Sequence, residues 1–499
     1  MNQLFAKKPL DVLLAELKGE DRLKRILGPA ALTSLGVGAI IGTGIFVLTG
    51  IAAHDKAGPA IILSFVFAGL ACIFAALCYA EFASMVPVAG SAYTYAYATL
   101  GELLAWIIGW DLILEYAVAS ATVAHGWSHY FQDFMGIFGW EVLPKFQRSP
   151  TDFNLDTGTF ISTGAMVDLP AIIIALVITI ILVKGIRESA GFNTVMVGIK
   201  LVIVLMVIIV GAFYIDPNNW KPFAPFGYTG ISFFGKTILG DTAKGGAPVG
   251  VLAGAAMIFF AYIGFDSVST HAEEAKNPKR DVPIGIITSL ILCTVLYVAV
   301  AAVLTGMVPR EQINIDAPVS AAFASRGLGW AQFIISLGAL AGITSVLLVM
   351  MLSQPRIFLA MARDGLLPKS FFGAVHEKFR TPWKSTIATG IFVAILGGLL
   401  PLRILAELVN IGTLFAFVVV CAAVLIMRKT NPNAERPFRA PFVPLVPVLG
   451  IITCMILMFS LPVDNWYRLF GWLAIGLVIY FAYGRKHSIM HAMMDKESQ

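Results

Sequence analysis

The chain has 499 residues, of which 58% are hydrophobic and only 13% are charged. A soluble globular protein carries about 25% charged residues, so a soluble fold could not hide this much apolar surface. The formal net charge of +5 is explained by basic residues in the segments between apolar runs, and it gives no case for nucleic-acid binding. The composition predicts an integral membrane protein.

Apolar runs long enough to cross a hydrocarbon layer of about 30 Å recur along the whole chain. Each run predicts a helix, because a lone strand in lipid would leave its backbone groups unpaired. The alternation over about ten residues that is typical of a membrane β-barrel is not visible. The predicted fold is therefore all-α, with spans at 30–52, 59–85, 102–132, 167–184, 190–214, 249–274, 283–308, 330–361, 383–401, 404–427, 442–462 and 466–484.

The segment before the first span, residues 1–29, is rich in basic residues. Its stretch from Asp11 to Leu27 is amphipathic, which is typical of a segment lying along the membrane surface, although a solvated linker fits equally well. If the N-terminus is cytoplasmic, the inside segments hold about 24 of the 35 Lys and Arg residues. This asymmetry predicts a multi-pass plasma-membrane protein with both termini inside, including a tail at 485–499.

An interruption of the apolar pattern appears twice. The first span contains Gly42 and Gly44 on either side of a threonine, and each glycine disfavours a helix by about 1 kcal/mol. The sixth span has Gly264 and Asp266 at the corresponding depth. Two broken helices in register predict a 5+5 inverted repeat, with a glycine packing face as the alternative. The predicted units are 30–214, 249–427 and a final helix pair at 442–484.

Ionisable side chains inside the predicted spans are the second informative feature. Burying a charge in a span is costly, so such residues are functional candidates. Lys200 lies far from either end of the fifth span, Asp111 and Glu115 lie four apart on the third helix, and Asp266 follows the second interruption. The alternatives are a fixed structural role for Lys200, a role as a polar partner within the bundle for Asp111, and a helix cap for Asp266.

The sequence lacks the motifs that metal binding, ATP-driven transport, membrane-embedded enzymes and channels require. The five cysteines lack CxxC spacing, and no Walker A or HExxH sequence occurs, so we predict no metal, no cofactor and no ATP-driven function. An enzyme would need a cluster of catalytic carboxylates or histidines at the membrane interface, and none is apparent. A channel would need a ring-forming selectivity sequence.

Four motifs occur together in an order that resembles the amino acid, polyamine and organocation (APC) permeases. They are residues 42–46, residues 260–266, residues 273–278 leading to 283–285, and Pro355-Arg356 with residues 362–368. The combination resembles the cationic amino acid transporter branch most closely and covers residues 28–484. The chain ends after about twelve helices, which is similar to the bacterial form of that branch.

The resemblance implies a secondary transporter of L-amino acids that works by alternating access. In the family, the substrate carboxylate meets the first break, and its amino group meets backbone carbonyls at both breaks. Glu115 matches a family glutamate close to the substrate, and Phe260 or Tyr262 stands where an aromatic residue gates the site, with plain packing as the alternative. The implied substrate-binding residues are Ile40, Thr43, Gly44, Glu115, Phe260, Ala261, Ile263, Asp266 and Met350.

The resemblance also has implications for proton coupling and for substrate specificity. Proton-coupled relatives have a lysine at the position of Lys200, where sodium-coupled relatives bind an ion. Whether this ammonium titrates or is fixed, its expected partners are Gly42 and Thr344 or Ser345. Met350 stands where cation-selective relatives have a small residue, which favours small or medium neutral substrates such as alanine over arginine, lysine or ornithine.

Two other functions remain open at this stage. An amino acid exchanger would use the same site without net proton movement, and a receptor or sensor would bind its ligand without flux. The expected partners are an amino acid, protons and membrane lipid. The sequence does not specify an accessory subunit.

Overall fold

The computed structural model describes residues 3–9, 27–86, 90–154, 159–184, 189–233, 236–243, 246–379 and 381–497. The predicted amphipathic stretch from Asp11 to Leu27 lies outside the described residues except for its last position. Leu27 pairs with the segment between the sixth and seventh spans, where its N–H donates to Glu274 O at 3.0 Å and its carbonyl accepts from Lys276 N at 2.8 Å.

The first half of the chain forms long apolar helices that follow the predicted spans. They are α1 (Pro29–Ile40), α2 (Ile61–Met85), α3 (Glu102–Ile137), α4 (Leu169–Lys184) and α5 (Ser189–Ala212). Helical turns resume after α1 at Gly44–Leu48, Thr49–Ala52 and Ala53–Ala57. The first predicted span is thus one path through the bundle, made of two helical pieces.

The second half of the chain also forms apolar helices. Its members are α6 (Val251–Ile258), α7 (Pro278–Met307), α8 (Gly329–Arg363), α9 (Trp383–Leu399), α10 (Leu402–Thr430), α11 (Leu445–Phe459) and α12 (Val463–Ile479). A short turn, Phe259–Tyr262, and a short helix, Ser267–Thr270, follow α6. The division into inverted five-helix repeats stays a prediction.

The predicted all-α membrane class is confirmed. Among the described residues, eight helical stretches are long and apolar enough to cross a membrane. Four shorter apolar helices, α1, α4, α9 and α11, have 12, 16, 17 and 15 residues. Because these four fall below the usual crossing length, the count of twelve crossings stays a prediction.

The connections contain structure that the hydropathy pattern did not predict. Within the described ranges, three antiparallel strand pairs join Thr151–Asn154 to Thr159–Ser162, Ile231–Phe233 to Lys236–Leu239, and Asp241–Thr242 to Pro248–Val249. Short helices in the connections include Ser91–Thr99, Pro318–Ser325 and Lys369–Phe372. These elements lie between the apolar helices, so they leave the all-α class of the membrane part unchanged.

Small residues let the helices that carry the breaks approach their neighbours. A Cβ added to Gly36 of α1 would lie 2.4 Å from Ser289 Oγ of α7, and one added to Gly285 of α7 would lie 2.9 Å from Leu32 Cβ of α1. Close backbone approach of this kind is how membrane helices gain packing energy. Glycine packing therefore occurs along α1, and it continues just beyond α1 at Gly42, where an added Cβ would lie 2.6 Å from Val346 Cγ2 of α8.

The outward side of the bundle is apolar. Ile180 of α4 and Val202 and Ile209 of α5 are 56%, 67% and 60% exposed, whereas Lys200 of α5 is fully buried. Apolar side chains that face outward are compatible with contact to lipid, and the buried lysine faces the other helices. The fold thus turns the one ionisable group of α5 toward the first broken helix.

Candidate functional site

The first break lies directly after α1. Ile41 is extended, with φ −75° and ψ 104°, and the helix resumes at Gly44. Among the described residues, no backbone carbonyl pairs with the N–H groups of Gly42, Thr43 and Gly44. Unpaired N–H groups at the start of a helix attract anions, so the break can hold a carboxylate.

The second break follows α6. Ile263 is extended, with φ −60° and ψ 135°, and Gly264 has φ +117°, a conformation that glycine adopts without steric cost. A Cβ added to Gly264 would lie 2.9 Å from Ala39 Cβ and 3.0 Å from Met350 Cε. Gly264 therefore turns the chain where α1, α8 and the second break converge.

The two breaks touch each other. A Cβ added to Gly44 would lie only 2.3 Å from Ala261 Cα. The hydroxyl of Tyr297 lies 2.7 Å from Ile40 O and 2.9 Å from Ala261 O, and its single hydrogen can serve only one of these carbonyls at a time. Backbone donors from the first break and carbonyl acceptors from both breaks thus converge on one place.

Tyr297 of α7 is a site residue that the sequence analysis missed. It is fully buried and bridges the two carbonyls that were expected to meet the substrate amino group. The signal that could have found it is a lone phenol in an otherwise apolar run, Val295-Leu296-Tyr297-Val298, since a buried tyrosine needs a partner for its hydroxyl.

Polar and apolar side chains complete the surroundings of the breaks. The Thr43 hydroxyl is buried without a hydrogen-bond partner among the described residues, and it packs against Gly126 of α3. A buried hydroxyl without a partner costs about 1–3 kcal/mol, which a ligand could recover. Phe260 and Met350 are 5% and 2% exposed, so the site is closed to solvent.

Tyr262, one of the two proposed gates, directs its hydroxyl toward α2. Its hydroxyl donates to Phe65 O of α2 at 2.7 Å, and its ring packs against those of Phe65 and Tyr297. These contacts fix the second break to α2 and α7. A gating role for Phe260 or Tyr262 stays a prediction.

Two acidic side chains adjoin beside the second break. The carboxyl groups of Glu115 and Asp266 lie next to one another, and Tyr116 donates to Asp266 Oδ2. Both oxygens of Glu115 and Oδ1 of Asp266 have no donor among the described residues. Two buried carboxylates without a cation are unfavourable, so this pair needs a proton or a cationic ligand.

Asp111 is separate from that pair. Its carboxylate is buried and also has no donor among the described residues, but it faces α10, where a Cβ added to Gly412 would lie 2.8 Å from Asp111 Oδ1. It is therefore a polar group within the bundle, one helical turn from Glu115.

Lys200 caps the end of α1. Its Nζ donates to Gly38 O at 2.7 Å, to Ile41 O at 2.9 Å and to Ser345 Oγ at 2.9 Å. The break leaves the last carbonyls of α1 without intrahelical donors, and the helix C-terminus favours a cation. The ammonium thus joins the first broken helix to α8.

Of the expected partners of Lys200, Ser345 accepts from the ammonium, whereas Gly42 and the alternative hydroxyl, Thr344, have other donors. The Gly42 carbonyl instead accepts from Ile45 N and Phe46 N, both at 3.2 Å, in the resumed helix. The Thr344 hydroxyl instead accepts from Trp127 Nε1 at 2.9 Å. Which of several adjacent oxygens meets the ammonium depends on the rotation of each helix, which spacing alone does not give.

Comparison with known proteins shows which proteins this chain is similar to. The family model described as amino acid permease matches residues 27–481. The methylthioribose transporter of Bacillus subtilis is 46% identical over 491 residues, which cover 98% of this chain and all of the relative. The branched-chain amino acid permease BcaP of the same organism is 49% identical over 486 residues, 97% of this chain and 98% of the relative.

A plant relative supports the resemblance to the cationic branch. The vacuolar cationic amino acid transporter 4 of Arabidopsis thaliana is 39% identical over 440 residues, 87% of this chain and 68% of the relative. The resemblance drawn from the motifs is thereby confirmed. The chain belongs to the amino acid permease family of the APC superfamily, and it is a multi-pass membrane transporter and not an enzyme.

Proposed function

We propose that the protein takes up neutral amino acids, from small to branched-chain, by proton-coupled alternating access. The observation that carries the proposal is the contact of the two helix breaks at Gly44 and Ala261. Broken helices that meet within a membrane bundle present bare peptide groups to a small zwitterion. The helices that carry these breaks would move against the rest of the bundle.

The peptide groups at the breaks match the two charges of an amino acid. The substrate carboxylate would meet the N–H groups of Thr43 and Gly44 and the unpartnered Thr43 hydroxyl. The substrate ammonium would displace the Tyr297 hydroxyl from the carbonyls of Ile40 and Ala261. An ammonium has three hydrogens to donate where the phenol has one, so it can serve both carbonyls at once.

The surroundings of Met350 favour a neutral side chain. Met350 is buried and reaches Gly264 at the second break, where it fills the space that a long cationic chain would need. A relative named as a branched-chain amino acid permease is 49% identical to this chain. Methionine is flexible, so substrates somewhat larger than alanine also fit this proposal.

A cationic amino acid is the second candidate. The adjoining carboxyl groups of Glu115 and Asp266 lack a cation among the described residues. A guanidinium or a second ammonium would supply the missing charge. In the neutral-substrate proposal, a proton fills the same role.

Proton coupling is proposed through Lys200. Its ammonium holds the end of α1 to Ser345 of α8. Loss of its proton would remove one of its three donated bonds and the charge that attracts the carbonyls of α1. The first broken helix would then be freed to move, which links proton transfer to alternating access.

Uptake into proteoliposomes tests the proposed function. With purified protein and labelled leucine or alanine, uptake is expected to rise as the outside pH falls and to stop when a protonophore is added. One proton per substrate supports about tenfold accumulation per pH unit, because one unit corresponds to about 1.4 kcal/mol. Accumulation that changes neither with the outside pH nor with the protonophore would contradict proton coupling. Counterflow without accumulation would identify an exchanger.

Met350→Ser tests the assignment of the substrate side-chain pocket. We expect the variant to gain competition by arginine against labelled alanine, because the smaller side chain opens space toward the Glu115 and Asp266 pair. The measurement is competition binding with all twenty amino acids and with methylthioribose, the substrate named for one relative. Met351→Ser, a substitution of the neighbouring buried methionine, is the matched control. An unchanged profile in Met350→Ser would place specificity elsewhere.

A further inference from the structure

A polar cavity lies at the end of the bundle where α3 ends and α8 begins. It has a volume of about 220 Å³, and seven of its eight lining residues are polar or charged. This volume is several times the share of one water molecule, about 30 Å³, so it can hold a small solute. The distribution of basic residues predicts that this end faces outside. We call it the outer cavity.

Charges of both signs face the outer cavity. Asp133 and Asp316 supply carboxylates and Arg148 supplies a guanidinium. Asp133 accepts from Ser320 Oγ at 2.9 Å and from Ser336 Oγ at 2.5 Å, and it has no ion pair among the described residues. Arg148 likewise makes no ion pair or hydrogen bond within the described part of the chain. Asp316 already has a partner, since its Oδ1 lies 3.6 Å from His129 Nδ1. Asp133 and Arg148 have no oppositely charged partner within ion-pair distance among the described residues, and together they suit a ligand that carries one charge of each sign.

The outer cavity is connected to the first break along α3. Gly126, which touches Thr43, lies seven residues before Asp133 on the same helical face. Between them, the Tyr130 hydroxyl donates to Phe46 O at 2.9 Å. Seven residues of helix span about 10 Å. A solute in the cavity is therefore about two helical turns from the place where the breaks meet.

A loop closes the space between the cavity and the first broken helix. Asn314 and Ala317 line the cavity, and a Cβ added to Gly50, beyond the first break, would lie 2.3 Å from Pro318 Cβ and 3.3 Å from Asn314 O. The same loop residues thus contact the cavity on one side and the broken helix on the other. Movement of this helix would change the cavity.

We propose that the outer cavity is a second binding site, which takes the zwitterionic headgroup of an amino acid before it reaches the breaks. The ammonium would lie toward Asp133, and the carboxylate would lie toward Arg148. This inference rests on the proposed function. Because Ala317 is the one apolar residue in the lining, the outer cavity would bind the charged headgroup and would discriminate little between the side chains of glycine, alanine and leucine.

Equilibrium binding of labelled glycine, alanine and leucine to the purified full chain tests this inference. The unmodified protein is expected to show two classes of site, one selective and one that binds all three amino acids with similar affinity. Arg148→Gln should weaken the unselective class at least tenfold and leave the selective class unchanged. Arg148→Lys, which keeps the charge, should restore most of the binding.

Two further variants separate the possible outcomes. Gly44→Leu would fill the place where the two breaks meet and leave only the unselective class of site. If the Gly44→Leu variant does not fold, the Arg148→Gln variant still tests the outer site. Lys145→Gln removes a basic residue of the same loop that does not line the cavity, and it should change neither class. If the unmodified protein shows only one class of site and Arg148→Gln leaves that class unchanged, the outer site is overturned but the proposed function is not. Absence of all amino acid binding would overturn the proposed function as well.

Discussion

Gly44→Ala is expected to abolish substrate binding and uptake, with a loss of at least a hundredfold, while the protein still inserts and folds. The added Cβ would lie 2.3 Å from Ala261 Cα, a backbone atom that cannot turn aside. The two breaks would have to separate, and the methyl group would cover the N–H groups that we assign to the substrate carboxylate. The loss arises from geometry, because no charge or hydrogen-bond donor is removed.

Gly198→Ala is the matched control for this prediction. A Cβ at this position meets nothing within 4 Å, and alanine favours a helix by about 1 kcal/mol relative to glycine. The two variants are compared by labelled-substrate binding, proteoliposome uptake and thermal stability. Uptake by Gly44→Ala at the level of the unmodified protein would show that the substrate does not bind where the breaks meet.

Lys200→Met is expected to remove proton-driven accumulation almost completely. The substitution deletes three hydrogen bonds. It leaves Gly38 O with only the long contact to Ser345 Oγ at 3.5 Å, and it removes the donor to Ile41 O, at a cost of about 1–3 kcal/mol for a buried carbonyl left without a donor. Removing the buried ammonium offsets part of this cost, so we expect a folded protein. With no titratable group at the end of α1, a pH gradient can no longer drive its movement.

Counterflow distinguishes a coupling role of Lys200 from a merely structural one. If Lys200 couples proton and substrate, Lys200→Met should still exchange labelled for unlabelled substrate while losing accumulation. Loss of both activities together with substrate binding would indicate a structural role. Lys184→Met, at the exposed end of α4, removes a lysine without a buried contact and should leave both measurements unchanged. Accumulation that survives in Lys200→Met would contradict coupling through this residue.

The main features of the fold could be predicted from the sequence because they depend on local properties. A run of apolar residues needs a helix in lipid wherever it lies in the chain, and Gly42 and Gly44 weaken the helix that contains them. The all-α class, the positions of the two breaks and the burial of Lys200 and Glu115 follow from such local rules. The motifs 42–46 and 260–266 also carried the family resemblance, since motifs are local in the same sense.

The contacts of the candidate site depended on the rotation and depth of helices that are distant in the chain. The meeting of Gly44 with Ala261, the bridge formed by Tyr297 and the choice of Gly38 over Gly42 by Lys200 each join elements far apart in sequence. The outer cavity likewise combines α3 with two loops. A shift of one residue turns a helical side chain by about 100°, so hydropathy places these residues at the right depth but only tertiary packing decides which atoms meet.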